Sequence, residues 1–278
     1  MDEIRSILLH LDASTGATRR LRAAHQLAAT HGSELEVLYA VTPALLQYPM
    51  AASADSQLAG MLAALDVETR ARVRADFERE RLQVGLPHLA WNESDDTPLA
   101  AFRRRAFEAD LLVLAQVRPD DHQQSQVPVD LAPTVLIETG KPALLLPYID
   151  AGSEFGQNVL IAWKDSAASA RAVTAALPVL RLAKSVHVAA WDESGSPGDG
   201  EPLPIERFLQ RHGVHAKVHR GGRPSGEVGE LLLSLAADVQ ADLLVMGCYG
   251  HSRAREWLLG GVTRTIFQSM TLPVLMSH

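Results

Sequence analysis

The sequence is poor in cysteine, in aromatic residues and in long apolar runs, and each shortage excludes a class of protein. Its 278 residues contain one cysteine, Cys248, which rules out an intrachain disulfide and favours a reducing compartment. No run of about 18 apolar residues predicts a membrane-spanning helix. Met1–Glu3 opens with acidic residues where a signal peptide would be basic. We therefore expect a cytoplasmic protein with no membrane partner.

Basic charge is also scarce, and the deficit is confined to one half of the chain. Residues 1–150 hold 14 basic and 21 acidic side chains, whereas residues 151–278 hold 12 of each, so the net charge of −7 belongs to the first half. This balance argues against nucleic acid as a partner. The neutral second half is the less repulsive host for an anionic ligand. A hydrophobic content of 47% is enough for sizeable cores and excludes a disordered chain.

What is present is an internal repeat, because several segments occur twice in the same order. The run ILLHLDAS at 7–14 resembles VLIAWKDS at 159–166, and EADLLVLAQ at 108–116 matches QADLLVMGC at 240–248. KPALLLP at 141–147 likewise matches LPVLMS at 272–277. The offset falls from 152 to 131 residues, which places an insertion at 51–83 of the first half. We predict two copies of one plan, at residues 1–150 and 151–278.

Short apolar runs alternate with alanine-rich segments of helical length, a pattern typical of βαβ units around a buried parallel sheet. Strands are predicted near 4–11, 34–41, 87–92, 111–116 and 142–147, and again near 157–163, 185–190, 215–220, 242–247 and 273–277. The insertion predicts a long amphipathic helix over 56–83, with Asp66–Arg70 and Glu68–Arg72 as i,i+4 ion pairs. The fold class is therefore α/β, with two repeated domains.

The fourth strand of the second half ends in glycines that could serve a ligand. Gly247 and Gly250 follow that strand, and after nine further residues Gly260 and Gly261 open the last helix. Glycines let a backbone turn tightly and approach a ligand, and a helix N-terminus favours a phosphate. Ligands of open parallel sheets bind beyond the carboxyl ends of the strands. The alternative is that these glycines only form turns.

Gly247-x2-Gly250-x9-Gly260 resembles the nucleotide-binding signature of the universal stress protein family, and the order of strands and helices fits that family along nearly the whole chain. The resemblance implies a flavodoxin-like or Rossmann-like sheet of strand order 3-2-1-4-5 in each half, sandwiched by helices. It implies ATP or AMP as ligand, with Mg²⁺ accompanying ATP, and two halves packed as a pseudo-dimer within one chain. A homodimer and an unidentified protein partner are further expectations. The residues implied at the nucleotide site are Lys164, Ala190, Met246, Gly247, Gly250, His251, Ser252, Gly260, Gly261, Val262 and Thr263.

Three positions depart from the family pattern. Lys164 stands where nucleotide-binding relatives have an aspartate, and a lysine cannot accept hydrogen bonds although its charge could meet a phosphate. Gly261 stands where the family pattern has a serine or threonine. The first half keeps Asp12 and Ser14 but reads Gln-Val-Arg-Pro at 116–119 in place of glycines. We therefore predict that the first half is degenerate and that nucleotide binds in the second.

Three functions remain open from the sequence: a regulatory stress-response protein that binds an adenine nucleotide, a ligand-free scaffold, and a weak ATP hydrolase without an identifiable general base. Cys248 is interpreted either as a redox-sensing thiol or as a small buried hydrophobe. A metal site is not expected, because no acidic or cysteine partner accompanies the histidines at 212, 215 and 219. Arg253 and Arg255 are interpreted either as phosphate ligands or as exposed loop residues.

Overall fold

The computed structural model describes residues 3–50, 56–84, 89–118, 126–149, 152, 154–191, 203–222, 224–248 and 261–278. Contacts divide the chain into two compact units. The first unit is Arg5–Thr139, and the second unit is Gly140–His278 together with the first four residues. The predicted boundary between the two repeats, after residue 150, stays a prediction.

The first unit is built on a parallel sheet whose strands lie in the order β3-β2-β1-β4. The central strands β1 and β4 are buried along most of their length and mainly apolar, the pattern of a parallel sheet covered on both faces. A left-handed glycine, Gly32 at φ 65°, ends the first helix in the conformation that glycine adopts most readily. The elements in chain order are β1 (Ser6–Leu11), α1 (Ala17–His31), β2 (Glu34–Tyr39), α2 (Ala44–Gln47), α3 (Ser56–Val84), β3 (Leu89–Glu93), α4 (Pro98–Arg105), a 3-10 turn (Ala106–Glu108), β4 (Leu111–Ala115) and α5 (Leu131–Thr139).

The second unit contains five parallel strands in the order β8-β7-β6-β9-β10, which is the predicted 3-2-1-4-5. The α/β class is thus confirmed. A sixth strand, β5, pairs antiparallel with β10, and Leu144 lies opposite Leu275. The sequence does not indicate this partner for β5. The elements are β5 (Ala143–Leu146), β6 (Asn158–Ala162), α6 (Ala167–Leu180), β7 (Ser185–Trp191), α7 (Pro204–Arg211), β8 (Ala216–Gly221), α8 (Val228–Asp238), β9 (Leu243–Gly247), α9 (Gly261–Ser269) and β10 (Val274–Ser277).

The insertion in the first unit is the long helix α3, as predicted, and its second half packs on the sheet. Phe77 lies 4.9 Å, between ring centroids, from Trp91 of β3, and Trp91 stacks on Tyr39 of β2 at 5.8 Å. The almost fully buried Glu80 accepts two hydrogen bonds of 2.7 Å from Arg22 of α1. These contacts fix α3 over α1 and the edge of the sheet.

The ion pair predicted between Asp66 and Arg70 is not formed. Arg70 pairs with Asp95 at 3.0 Å, and the two oxygens of Asp66 accept hydrogen bonds from the backbone of Ala44 and the side chain of Gln126. The part-buried hydrogen bonds from Ala44 and Gln126 hold the Asp66 carboxylate away from Arg70, and an exposed ion pair between neighbours on one helix adds too little free energy to compete with them. Among the described residues, no helix combines the length and the apolarity needed to cross a membrane.

One aspartate has the same structural role in both halves and explains part of the repeat. Asp110, before β4, accepts hydrogen bonds from the backbone N–H groups of Arg5 and Ser6 at 2.9 and 3.1 Å. Its counterpart Asp242, before β9, accepts from the N–H groups of residues 156–158 at 2.8 to 3.1 Å. Each carboxylate satisfies backbone donors where the first strand of its half begins. The repeated Ala-Asp pair therefore serves the fold at the edge opposite the strands' carboxyl ends.

Candidate functional site

The carboxyl ends of β6 and β9 lie side by side in the second unit, as a ligand crevice in an open parallel sheet requires. Ala162 of β6 is opposite Met246 of β9, so Lys164 and Gly247 follow at the same edge of the sheet. The N–H group of Trp163 donates to the carbonyl oxygen of Ala189 at 2.8 Å, which brings Ala190 of β7 to this edge as well. Met246 is buried and the Lys164 side chain is exposed.

Gly247 is required by packing, whatever binds nearby. A Cβ atom at this position would lie 2.5 Å from the backbone nitrogen of Ser169 and 2.7 Å from the carbonyl carbon of Ala168. Both atoms belong to the first turn of α6, where the Ser166 hydroxyl caps the helix by accepting a 3.2 Å hydrogen bond from the Ser169 N–H. Because α6 lies this close to β9, only glycine fits at position 247 without a shift of the backbone.

The helix that would receive a phosphate begins at Gly261. Gly261 is exposed, Val262 is half-buried and Thr263 is buried, so the threonine hydroxyl belongs to the packed side of α9. A Cβ atom on Gly261 would meet only a carboxylate oxygen of Glu227, at 3.5 Å, among the described residues. Gly250, His251, Ser252, Gly260, Arg253 and Arg255 lie outside the described residues, and their roles stay predictions.

The remaining candidates from the sequence have other surroundings. Cys248 is buried, and burial raises the pKa of its thiol to about 12, which favours the buried hydrophobe over a reactive thiol. His219 contacts His187 at 2.8 Å between Nε2 and Nδ1, whereas His212 packs on Phe208. In the described part of the chain, no three side chains of histidine, cysteine, aspartate or glutamate gather into a metal site.

At the equivalent edge of the first unit, a buried ion pair occupies the end of β1. The Arg20 guanidinium donates to Asp12 Oδ1 at 2.6 Å and to Ser14 Oγ at 2.9 Å. The backbone and the hydroxyl of Ser14 also donate to Asp12 Oδ1. Asp12 and Arg20 are only 1% and 4% exposed, so both charges are held away from water. This network was not foreseen from the sequence, and within it the buried Nε of Arg20 has no hydrogen-bond partner among the described residues.

The charges around Asp12 decide its protonation. Burial by itself would raise the pKa of the Asp12 carboxyl. The charge of Arg20, then that of His10, and the hydrogen bonds from Ser14 together lower this pKa by more than burial raises it, and the resulting value is about 2. His10 is fully buried, and its Nε2 lies 2.7 Å from the carbonyl oxygen of Ala40. Burial lowers the pKa of His10 although Asp12 and that hydrogen bond oppose the shift. At neutral pH the site therefore holds an ionised carboxylate beside a neutral imidazole.

Comparisons with known proteins agree with this architecture. Residues 156–278 match the model of the universal stress protein family. A universal stress protein from Archaeoglobus fulgidus DSM 4304 is 14% identical, with a TM-score of 0.69 over 98% of this chain and 96% of that chain. A protein of unknown function from Pseudomonas aeruginosa PAO1 is 16% identical, with a TM-score of 0.59 over 98% of this chain and 92% of its own. No curated protein matches the sequence.

The structural likeness extends over both units, whereas the family model covers the second half. At these identities the structures establish a shared fold and nothing more specific. The chain therefore contains a universal stress protein domain at residues 156–278, and its whole length has the fold of a universal stress protein.

Proposed function

We propose that the second unit binds an adenine nucleotide at the carboxyl edge of β6 and β9, and that the protein is a regulatory binding protein. The observation that carries the proposal is the pairing of β6 with β9, which brings the exposed Lys164 to the same edge of the sheet as Gly247, the first glycine of the signature. The exposed Lys164 ammonium supplies positive charge where phosphates would lie. The helix N-terminus supplies unpaired N–H donors.

The first unit lacks this combination, which supports a single nucleotide per chain. At the end of β1, Arg20 already neutralises Asp12, and their pair is buried. The gap beside Asp12 toward β4 and α5 is about 10 Å³, which is room for about one water molecule and far too small for a nucleotide. A nucleotide would have to displace this buried ion pair, at the cost of an unpaired buried charge.

Glu227 indicates that a metal ion accompanies the nucleotide. Its carboxylate lies beside Gly261, so phosphates arriving at α9 would meet a like charge. Mg²⁺ is held in proteins by carboxylates together with substrate phosphates, and Glu227 could supply such an oxygen. We therefore expect ATP to bind more tightly with Mg²⁺ present, and the gain to shrink in Glu227→Gln.

The experiment is to identify the nucleotide in freshly purified protein after denaturation, and to measure ATP and AMP binding by calorimetry. Gly250→Val should abolish binding. Lys164→Met should weaken ATP binding roughly ten- to a hundredfold, since a hydrogen bond to a charged group contributes about 1.5–3 kcal/mol. Lys184→Met is the matched control, because Lys184 is an exposed lysine before β7, at the opposite edge of the sheet. Binding that is unchanged in Gly250→Val would refute the site.

A ligand-free scaffold is the second candidate, and Gly247 is the observation that favours it. Packing against α6 requires this glycine with or without a ligand, so its presence alone does not require a nucleotide. Absence of co-purified nucleotide, together with no thermal shift from millimolar ATP or AMP, would establish this alternative.

A further inference from the structure

The first half of the insertion helix α3 is exposed along its length. None of the side chains at 56–72 is buried, whereas the second half of the helix buries Val73, Phe77 and Glu80 against the first unit. A helix in water gains most of its stability from the packing of one face, and here about 25 Å of helix carries no buried side chain. The second half therefore anchors α3, and the first half presents its surface to solvent.

The apolar side chains of this first half follow the helical repeat. Leu58, Met61, Leu62 and Leu65 are spaced i, i+3, i+4 and i+7, which places them on one face of α3 and defines an apolar stripe. This spacing is typical of a helix face that packs against another element. Leu62 is half-buried, but the other three side chains are 42–60% exposed. The apolar stripe is therefore a packing face that the described part of the chain leaves exposed.

Further exposed apolar side chains lie at the same end of α3. Leu46, Tyr48 and Met50 are 55–78% exposed, and a 2.8 Å hydrogen bond from the Ala44 N–H to Asp66 holds α2 beside α3. Together with the apolar stripe, these side chains expose on the order of 700 Å² of surface, at roughly 200 Å² for each large side chain. The largest apolar patch of a typical monomer is about 300–600 Å², so an area of this size indicates an interaction surface.

The charges of the segment favour a second copy of this chain as the partner. Residues 56–65 carry no charged side chain, although residues 1–150 have a net charge of −7. The acidic half repels an anionic membrane or a nucleic acid. The apolar stripe also has no carboxylate that would select a basic peptide. Two copies of the stripe, in contrast, can meet without like charges between them.

Pairing across a two-fold axis matches the apolar stripe to itself. An antiparallel crossing with the axis between Met61 and Leu62 places Leu58 opposite Leu65 of the second copy, so apolar residues meet apolar residues. A standard interface buries about 800 Å² per partner, which the exposed area at this end of α3 approaches. We propose that two chains form a homodimer through the first half of α3, a contact distinct from the intramolecular pairing of β5 with β10.

The test is sedimentation equilibrium of the full chain at about 10–100 µM, a range that resolves a micromolar Kd. We expect twice the 30.1 kDa of one chain. Met61→Lys places a cation close to its own copy at the axis and should raise the dimer Kd by about thirtyfold or more. Leu82→Lys is the matched control, because Leu82 is an exposed leucine of the same helix, about 25 Å beyond Leu65. This control should dimerise as the unmodified protein does.

A charge exchange tests the antiparallel pairing. Leu65→Glu alone should weaken the dimer, and adding Leu58→Lys to the same chain should restore it, because each introduced lysine then lies opposite an introduced glutamate of the second copy. Circular dichroism establishes that the variants are folded, as expected for exposed positions. A monomer throughout the concentration range would overturn the proposal, and so would a dimer that is equally tight in Met61→Lys. A double variant that dimerises no better than Leu65→Glu would overturn the antiparallel contact.

Discussion

The two halves use the same position, the end of their first strand, in opposite ways. At the repeat offset of 152 residues, Asp12 corresponds to Lys164 and Arg20 corresponds to Ala172. In the first half the two side chains form a buried ion pair, whereas in the second half the lysine is exposed and the alanine is fully buried. One fold thus accepts a buried charge network in one copy and an apolar core with a surface cation in the other.

The equivalent serines show how this difference arises. Ser14 bonds to Asp12 and Arg20 within the turn before α1, whereas Ser166 caps α6. The close approach of α6 to β9 requires Gly247, while the equivalent residue of β4 is Ala115. Equivalent serines therefore complete a polar network in the first half and cap a closely packed helix in the second.

The largest expected effect comes from breaking the buried pair. Arg20→Met should lower the free energy of unfolding by about 3–5 kcal/mol, because it leaves the Asp12 carboxylate buried without its cation. Lys164→Met, the equivalent test in the second half, should change it by no more than about 0.5 kcal/mol since that lysine is exposed. Urea denaturation of both variants measures the difference. Equal losses would contradict the contrast between the halves.

Acid should weaken the ion pair between Asp12 and Arg20 by protonating the carboxylate. The pKa of Asp12 is about 2 in the folded protein against an ordinary 3.8, so its stabilising contribution is complete above about pH 4 and is lost as the pH falls through 2. Arg20→Met should remove this contribution. The stability gap between unmodified protein and variant should therefore narrow between pH 4 and pH 2, and a constant gap would show that the pair does not act through Asp12 ionisation.

A smaller effect is expected at Gly247. Gly247→Ala brings a Cβ to 2.5 Å from a backbone nitrogen, so α6 or β9 must shift, at a cost of about 1–3 kcal/mol. Gly261→Ala is the control, because its Cβ would make only an ordinary 3.5 Å contact and should cost less than about 1 kcal/mol. Thermal unfolding of the two variants compares them. If Gly247→Ala is as stable as Gly261→Ala, the close approach of α6 does not explain the glycine.

The smallest effect concerns His10, whose counterpart in the second half is Ala162. Burial lowers the pKa of His10, so the folded protein keeps it neutral while the unfolded chain takes up a proton below about pH 6.5. Stability should therefore fall as the pH decreases below that value, and less steeply in His10→Gln, which retains an N–H donor. Urea midpoints at pH 7 and pH 5.5 measure how steeply stability changes with pH. His215→Gln is the control, because His215 is exposed. Equal slopes in all three proteins would exclude His10 as the group that titrates.

Hydrophobic runs and the repeat predicted the strands, because burial on both faces leaves a plain pattern in the sequence. The order of the strands in the second sheet was implied by the resemblance to the universal stress protein family. Arg20 was missed because a helical arginine is usually exposed. The position of Arg20 nevertheless indicated that it is buried. Arg20 comes eight residues after Asp12 and lies on the same buried face of α1 as Ala24 and Leu27. The role of Asp110 and Asp242 was missed because backbone acceptors and donors leave no pattern of residue types.

The pairing of β5 with β10 has a consequence for symmetry. At the offset of 131 residues, Leu144 of β5 corresponds to Leu275 of β10, and these two residues lie opposite each other. Thus β5 pairs with the equivalent strand of the second repeat. Two equivalent antiparallel strands paired at equivalent residues form a self-complementary contact of the isologous kind. Because both copies of the strand belong to one chain, this contact is intramolecular and its formation does not depend on protein concentration.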